Sequence, residues 1–277
     1  DWIVSTTNTS TAFMTIEPTV KPKISREDWL MRALLLGVAL YLAFSIVLPL
    51  YAILSKSFQT ADGGFAGLAN YIKFATTPAL FWSIQNSLTV TFLSILIVLP
   101  IAFVFAYALT RSCMPFKSLF KGIALVPILM PSLLPAISLV YFFGNQGIFK
   151  SWLFGYDIYG PIGIILGESF YVFPHVFTIL LIAMANSDAR LYEAALVLRA
   201  SRIKTFFTVT LPGVRYGLVS AFFVGFTLVI TDFGVPKVIG GKYNVLATDV
   251  YKQVVGRHDF EMGAVIGMVL LLPALLA

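Results

Sequence analysis

Long stretches without a charged side chain constrain this sequence more than any other feature. Residues 33–54 and 74–110 contain no Asp, Glu, Lys or Arg. A bilayer core about 30 Å thick needs roughly 20 apolar residues in a helix, so each stretch is long enough to cross it. The whole chain is 58% hydrophobic and 12% charged, whereas about 25% of residues are charged in soluble domains. We therefore expect lipid to surround most of the chain, and the single cysteine, Cys113, excludes a disulfide-rich secreted scaffold.

Apolar segments of suitable length predict an all-α, polytopic membrane protein with six transmembrane helices. The segments are residues 33–54, 83–110, 122–143, 161–186, 214–233 and 262–277. Prolines in the third segment predict a break in its helix. The sixth segment provides only about 24 Å of helix, so we expect it to be truncated and the sequence to be part of a longer chain. Residues 1–24 have no usable periodicity and are expected to form a flexible tail, which leaves residues 25–277 as one membrane domain.

Lys and Arg are distributed unevenly over the connections between these segments. Of the 19 basic residues, twelve lie in residues 21–32, 111–121 and 187–215, and seven lie in the connections on the other side. Connections rich in Lys and Arg face the cytoplasm, so we expect the N-terminus and residues 187–215 on that side. The net charge of +6 follows from this orientation and does not require a nucleic-acid partner.

The longest basic connection, residues 187–215, has a helical pattern of its own. Its apolar residues recur at the spacing of one helix face: Leu191, Ala194, Ala195 and Leu198. Ser201 is expected to cap a second short helix, which Pro212 would end. Two short helices with a turn between them would form a compact projection. Small side chains beside Glu193 suit its insertion into the groove of a partner.

The residues of this loop resemble the EAA loop of permease subunits in ABC importers. The matching positions are Glu193, Ala194, Ala195, Val209, Leu211 and Pro212. Arg199 stands where the family pattern has Gly, and it favours a more helical junction or an altered docking geometry. The alternative interpretation is an amphipathic interfacial loop of an unrelated membrane protein.

Further segments are similar to one group of these permeases, the iron(III)/2-aminoethylphosphonate group. They are residues 111–115, 128–138, 159–163 and 229–241. Residues 244–253 are particularly similar to the 2-aminoethylphosphonate members. Members of this group carry two six-span halves in one chain, so the resemblance implies that this sequence is the N-terminal half of a tandem permease.

The resemblance implies a type I ABC importer permease fold in a bacterial plasma (inner) membrane. The implied partners are two cytoplasmic ATPase subunits, a periplasmic solute-binding protein, a second permease half and membrane lipid. The ATPase subunits would bind ATP and Mg²⁺, because this chain lacks a G-x-x-x-x-G-K-[ST] loop. We therefore expect neither a bound cofactor nor an enzymatic activity in this chain. The implied solute is 2-aminoethylphosphonate, with ferric iron, polyamine and thiamine as alternatives.

Polar residues in or beside the predicted spans are candidates for the solute path: Asn86, Ser132, Glu168, His175 and Asp232. An ionisable group costs roughly 2.5–3.5 kcal/mol at the centre of a span, so it needs a partner or a function. Glu168 and His175 lie two turns apart on nearly the same helix face. Their alternative role is to satisfy backbone groups freed by Pro174 or to pair with a neighbouring span. Asp232 could equally be a helix-end charge, and Asn86 an interhelical hydrogen-bond donor.

Two other classes of membrane protein remain as alternatives. In an ion-coupled secondary transporter, Glu168, His175 and Asp232 would be the coupling groups. A membrane-embedded enzyme would need a cluster of nucleophile, base or metal ligands within the spans, and the sequence contains none. The last outer connection is basic through Lys237, Lys242, Lys252 and Arg257. It would attract an anionic phosphonate, an acidic edge of the binding protein or lipid headgroups.

Overall fold

A computed structural model describes residues 26–276, and the predicted tail, residues 1–24, lies outside the described residues. The packing divides the chain into two units, Asp1–Pro49 and Leu50–Ala277. The described part of the first unit is the beginning of helix α1 (Arg26–Ser57). This helix has two acidic residues in its first turn, where they interact favourably with the partial positive charge of a helix N-terminus.

The second unit is built from helices joined by short connections. The helices are α2 (Ala69–Thr76), α3 (Pro78–Arg111), α4 (Lys117–Leu125), α5 (Leu133–Phe143), α6 (Pro161–Ala185), α7 (Ala189–Val197), α8 (Arg202–Thr205), α9 (Leu211–Thr231), α10 (Gly234–Ile239), α11 (Leu246–Tyr251) and α12 (Phe260–Leu276). The described residues contain no β-strand beyond an isolated bridge between Gln59 and Phe65. The prediction of an all-α chain is confirmed.

Four helical stretches are long and apolar enough to cross a membrane: Glu27–Ser57, Pro78–Arg111, Pro161–Ala185 and Arg202–Thr231. The predicted third span is broken, as its prolines indicated, but the break is a sharp bend. Lys117–Leu129 and Leu133–Phe143 meet at 101°, and Pro131 lies between them without an N–H to continue a helix. Helix α12 has 17 residues and is shorter than a full span. The described residues thus provide four spans, or five with the bent pair, and six remains a prediction.

Helices α3, α6 and α9 pack against one another at the centre of the second unit. Side chains of α6 such as Val176, Phe177 and Leu180 are completely buried there. A Cβ on Gly217 of α9 would lie 2.3 Å from the Cβ of Ala183 of α6. Small residues at such positions let two helices approach closely in a membrane protein. Helices α6 and α9 therefore form a tight pair.

The chain after α9 folds back against the helix core, where α10 packs against α5 and α6, and α11 packs against α3. The Ser87 hydroxyl accepts a hydrogen bond from the Leu246 N–H at 2.8 Å. The Asn86 amide donates to the Asn244 carbonyl at 2.9 Å, and the Ser83 hydroxyl donates to a buried Asp249 carboxylate. Successive polar residues of one α3 face thus hold the segment that follows α9.

Candidate functional site

The 187–215 loop begins with helix α7. The Asp188 carboxylate caps this helix by accepting a hydrogen bond from the Arg190 N–H at 2.9 Å. Ala195 of the predicted apolar face is buried, and Glu193 is exposed. The other members of that face are also exposed: Leu191, Ala194 and Leu198. Helix α7 therefore presents most of this face outward.

The turn after α7 corrects the expectation that Arg199 makes a more helical junction. Arg199 has a φ of +51°, which is the left-handed conformation that Gly adopts most readily. Its N–H donates to the Leu196 carbonyl at 3.0 Å, and the Ala200 N–H donates to the Ala195 carbonyl at 2.9 Å. These two bonds form a Schellman motif, in which a left-handed residue ends a helix. The backbone thus keeps the geometry of a glycine turn although an arginine occupies it.

The prediction that Pro212 ends the second helix of the loop is wrong. Ser201 caps α8 as expected, since its hydroxyl accepts a hydrogen bond from the Lys204 N–H at 3.3 Å. The chain then passes through a wide π-helical turn, Phe206–Thr210, directly into α9, so Arg202–Thr231 is one helical stretch. Pro212 lacks an N–H and crowds the carbonyl four residues earlier. A wider turn before the proline accommodates both effects.

Arg111, at the end of α3, fixes the loop to the helix core. Its guanidinium donates to the Met184 carbonyl at 3.0 Å and to the Ser187 hydroxyl at 2.9 Å. The same group lies 4.1 Å from the centre of the Tyr192 ring, and the Tyr192 hydroxyl donates to Thr210 Oγ1 at 3.1 Å. Sequence reasoning missed Arg111 and Tyr192. The available signal was that Arg111 is the first charge after a long uncharged span.

Aromatic packing attaches the wide turn to the same helix. The Phe206 ring lies 5.8 Å from the Phe103 ring and 6.3 Å from the Tyr107 ring of α3, centre to centre. Val209 and Leu211, which follow Phe206, are half-buried. Large apolar residues of the loop nevertheless remain 61% to 81% exposed: Leu196, Val197, Leu198, Ile203 and Phe207. An exposed apolar surface of this kind beside a charged residue is typical of a protein–protein contact.

Glu168 and Asp232 line one small cavity at the far end of α9. Ser87 and Thr91 of α3 line it as well, with apolar side chains around them. Glu168 is 0% exposed, and neither of its carboxylate oxygens receives a hydrogen bond from a described residue. Asp232 follows the last residue of α9, and its Oδ2 accepts a hydrogen bond from the Val235 N–H at 2.8 Å. The fold thus brings two predicted candidates together without a cation in the cavity wall.

The other candidates for the solute path lie elsewhere. His175 does not line this cavity, and its Nδ1 is 3.2 Å from the Tyr171 carbonyl oxygen. Asn86 binds the segment after α9, as described above. Ser132 packs against the beginning of α10, because a Cβ on Gly234 would lie 2.2 Å from the Ser132 hydroxyl oxygen. Within residues 26–276, no group of three or more His, Cys, Asp or Glu is arranged to hold a metal ion.

Comparison with known proteins identifies the family of this chain. No family model matches the chain. The chain is 28% identical over 267 residues to the ferric transport system permease protein FbpB of Actinobacillus pleuropneumoniae, covering 92% of this chain and 38% of that protein. It is 31% identical over 156 residues to the molybdenum transport system permease protein ModB of Haemophilus influenzae, covering 55% of this chain and 68% of that protein. The chain belongs to the permease family of ABC importers.

Solved structures show the same fold as this ABC importer permease. A chain of a bacterial ABC transporter involved in import of the acidic polysaccharide alginate superposes with a TM-score of 0.70 at 18% identity. The match covers 90% of this chain and 94% of that chain. Family membership makes the protein a polytopic inner-membrane component. The chain spans about two fifths of the length of the ferric permeases it matches.

Replacing Arg199 by glycine is expected to stabilise the permease by about 1 kcal/mol, because a side chain in the left-handed conformation costs roughly 1–2 kcal/mol and glycine adds some unfolded-state entropy. The thermal midpoint of the purified protein measures the change. Arg199→Ala is the matched control, since it removes the guanidinium but keeps the Cβ. If both variants gain the same stability, the charge of Arg199 is the source of the destabilisation, and the backbone explanation is contradicted.

Proposed function

We propose that this permease forms half of the solute path of an ATP-driven importer and moves 2-aminoethylphosphonate inward. Two cytoplasmic ATPase subunits bind ATP and Mg²⁺, a periplasmic binding protein delivers the solute, and a second permease half completes the path. The observation that carries the proposal is the 187–215 loop. It combines the EAA-type residues with an exposed apolar surface and rigid attachment to the helix core.

The contacts of the loop provide a mechanical link between an ATPase and the membrane helices. Arg111 and Phe206 connect the loop to α3, and Tyr192 connects it to the beginning of the helical stretch Arg202–Thr231. A displacement of the loop therefore moves α9, and α6 follows because Gly217 and Ala183 are in close contact. At the other end of α6 and α9 lie Glu168 and Asp232, so the motion reaches the opposite side of the membrane domain.

The choice of 2-aminoethylphosphonate rests on the similarity of residues 244–253 to permeases for that solute. Ferric iron is the second candidate, because the ferric permease matches 92% of this chain. Polyamine is supported to the same degree as ferric iron, because a spermidine/putrescine transport system permease protein of Haemophilus influenzae matches 85% of this chain. Thiamine rests on the shared architecture alone. An ion-coupled secondary transporter would leave the 187–215 loop without a role.

Reconstitution of the full-length protein with its ATPase and binding protein tests both levels of the proposal. We expect uptake of labelled 2-aminoethylphosphonate into proteoliposomes to require ATP and to persist when an ionophore collapses the ion gradients. Excess ferric iron or spermidine should not compete. Uptake that does not require ATP and stops when the ionophore is added would contradict the ABC mechanism. ATP-driven uptake of ferric iron but not of 2-aminoethylphosphonate would identify iron as the solute instead.

A further inference from the structure

A polar pocket opens among the residues that follow α9. Its polar lining consists of Lys237, Tyr243, Asn244, Thr248 and Lys252, and we call it the basic pocket. Pro236 and Gly241 complete its wall. Its volume is about 130 Å³, several times the roughly 30 Å³ that one water molecule occupies in the liquid. The basic pocket can therefore hold a small polar group together with water.

The charge of the basic pocket is positive. Two ammonium groups line it, from Lys237 and Lys252, and no Asp or Glu is among the described residues that line it. The Asp249 carboxylate lies beside it, 3.7 Å from the Lys252 nitrogen. The Lys237 nitrogen lies 4.2 Å from the centre of the Tyr251 ring. This cation–π contact holds the ammonium in place without neutralising it. One acidic group beside two ammonium groups leaves a net attraction for an anion.

Neutral donors surround the same space. The Asn244 side chain accepts a hydrogen bond from Lys252 through its oxygen, which leaves the two N–H groups of its amide to donate. Burial raises the pKa of the Tyr243 hydroxyl, so the phenol keeps its proton and remains a donor. Ammonium, amide and hydroxyl donors are the groups that bind the oxygens of a phosphate-like anion.

The basic pocket is held rigidly. The Asn244 backbone is bound by Asn86, and Leu246 is bound by Ser87, both from α3. Gly241, with a φ of +58°, makes the turn that brings Tyr243 and Lys237 to the same side. Preorganised donors bind an anion better than mobile ones, because less conformational entropy is lost.

The position of the basic pocket suits a solute that is entering. Helix α9 is about 31 Å long at 1.5 Å per residue; the 187–215 loop precedes it and the basic pocket follows it. The two features are therefore at opposite ends of the helix. If the loop faces the cytoplasmic ATPase subunits, the basic pocket faces the side from which the solute arrives.

We infer that the basic pocket binds the tetrahedral oxyanion group of the solute, a phosphonate or a close analogue such as sulfate, as the solute leaves the binding protein. The inference rests on the proposed import function for its place in transport, whereas the binding itself does not. It narrows the solute class, since two ammonium groups repel a polyamine or a bare metal cation. An amine elsewhere on the solute is compatible with it.

Binding of methylphosphonate to the full-length permease with its ATPase, in nanodiscs without binding protein, tests the inference. The phosphorus NMR signal should broaden on addition of the complex, and sulfate should reverse the broadening. Lys237→Gln is expected to weaken the affinity about tenfold, since it removes one of two charges from the basic pocket. Lys242→Gln is the matched control, with the same charge change in the same connection but outside the lining. Tyr243→Phe, which removes one hydroxyl, should weaken binding less.

The outcomes separate the site from the transport function. Equal losses in the Lys237 and Lys242 variants, or no broadening by the wild-type complex, would overturn the inference, whereas ATP-driven uptake would still support the proposed function. Saturable binding that only the pocket variants weaken would support the site. If such binding occurs while uptake is independent of ATP, the proposed function fails and the oxyanion site stands.

Discussion

Charge reversal at Glu193 is expected to reduce ATP-driven uptake by about tenfold or more. Glu193 is exposed on α7 beside the apolar surface of the 187–215 loop, and its resemblance to the EAA pattern implies contact with an ATPase subunit. Removing one charge of an interfacial ion pair, or reversing its sign, costs about 2–5 kcal/mol of binding free energy. Each 1.4 kcal/mol corresponds to about a tenfold change in affinity. Glu193→Lys should therefore lose the ATPase during purification as well as uptake in proteoliposomes.

The matched control is Asp62→Lys, the same charge reversal at an exposed position in the connection before α2. This variant should retain both the ATPase and normal uptake. We expect Glu193→Lys to fold normally, because the residue is exposed and the Asp188 cap of α7 does not involve it. Normal uptake and normal ATPase retention in Glu193→Lys would show that the loop does not couple ATP use to transport.

The membrane helices could be predicted from the sequence because hydropathy over about 20 residues reflects a single dominant requirement, burial in lipid. Helices α3 and α6 appear where the apolar segments 83–110 and 161–186 predicted them. The continuation of α8 into α9 could not be predicted in this way. Pro212 is compatible with a helix end and with a helix beginning, and the wide turn at Phe206–Thr210 depends on packing of Phe206 against α3.

The residues of the loop were found by pattern, whereas their geometry was not. Arg199 differs from glycine in the sequence, yet the backbone bonds around it impose the glycine conformation. The contact of Arg111 with Tyr192 joins two elements that are distant in sequence. No periodicity reports such a contact. The basic pocket could be predicted in part. Its lysines belong to a connection that is basic in the sequence, whereas only the fold shows that they line one pocket.

The cavity of Glu168 and Asp232 leads to the second large expected effect, an increase in stability on Glu168→Gln. Both residues present acceptor oxygens to the same small cavity, and Glu168 is completely buried. An unsatisfied buried polar group costs about 1–3 kcal/mol, and more when it is charged. Two facing carboxyl groups must repel each other or bind a shared proton, whereas a glutamine amide can donate to the Asp232 carboxylate without taking up a proton. The thermal midpoint should rise by roughly 2–4 °C for each kcal/mol gained.

The controls separate charge from packing at the same position. Glu168→Ala also removes the carboxylate, but it leaves a void among the buried neighbours, so its midpoint should fall below that of the wild type. Asp232→Asn should raise the midpoint as well, because its amide oxygen can still accept the Val235 N–H bond while its N–H groups can donate to the Glu168 carboxylate. If Glu168→Gln instead lowers the midpoint, the carboxylate has a stabilising cationic partner in the assembled transporter. Transport by the same variant then distinguishes two roles of Glu168. If it forms a structural ion pair, the substitution leaves the solute affinity unchanged; if it belongs to the solute path, the substitution lowers that affinity.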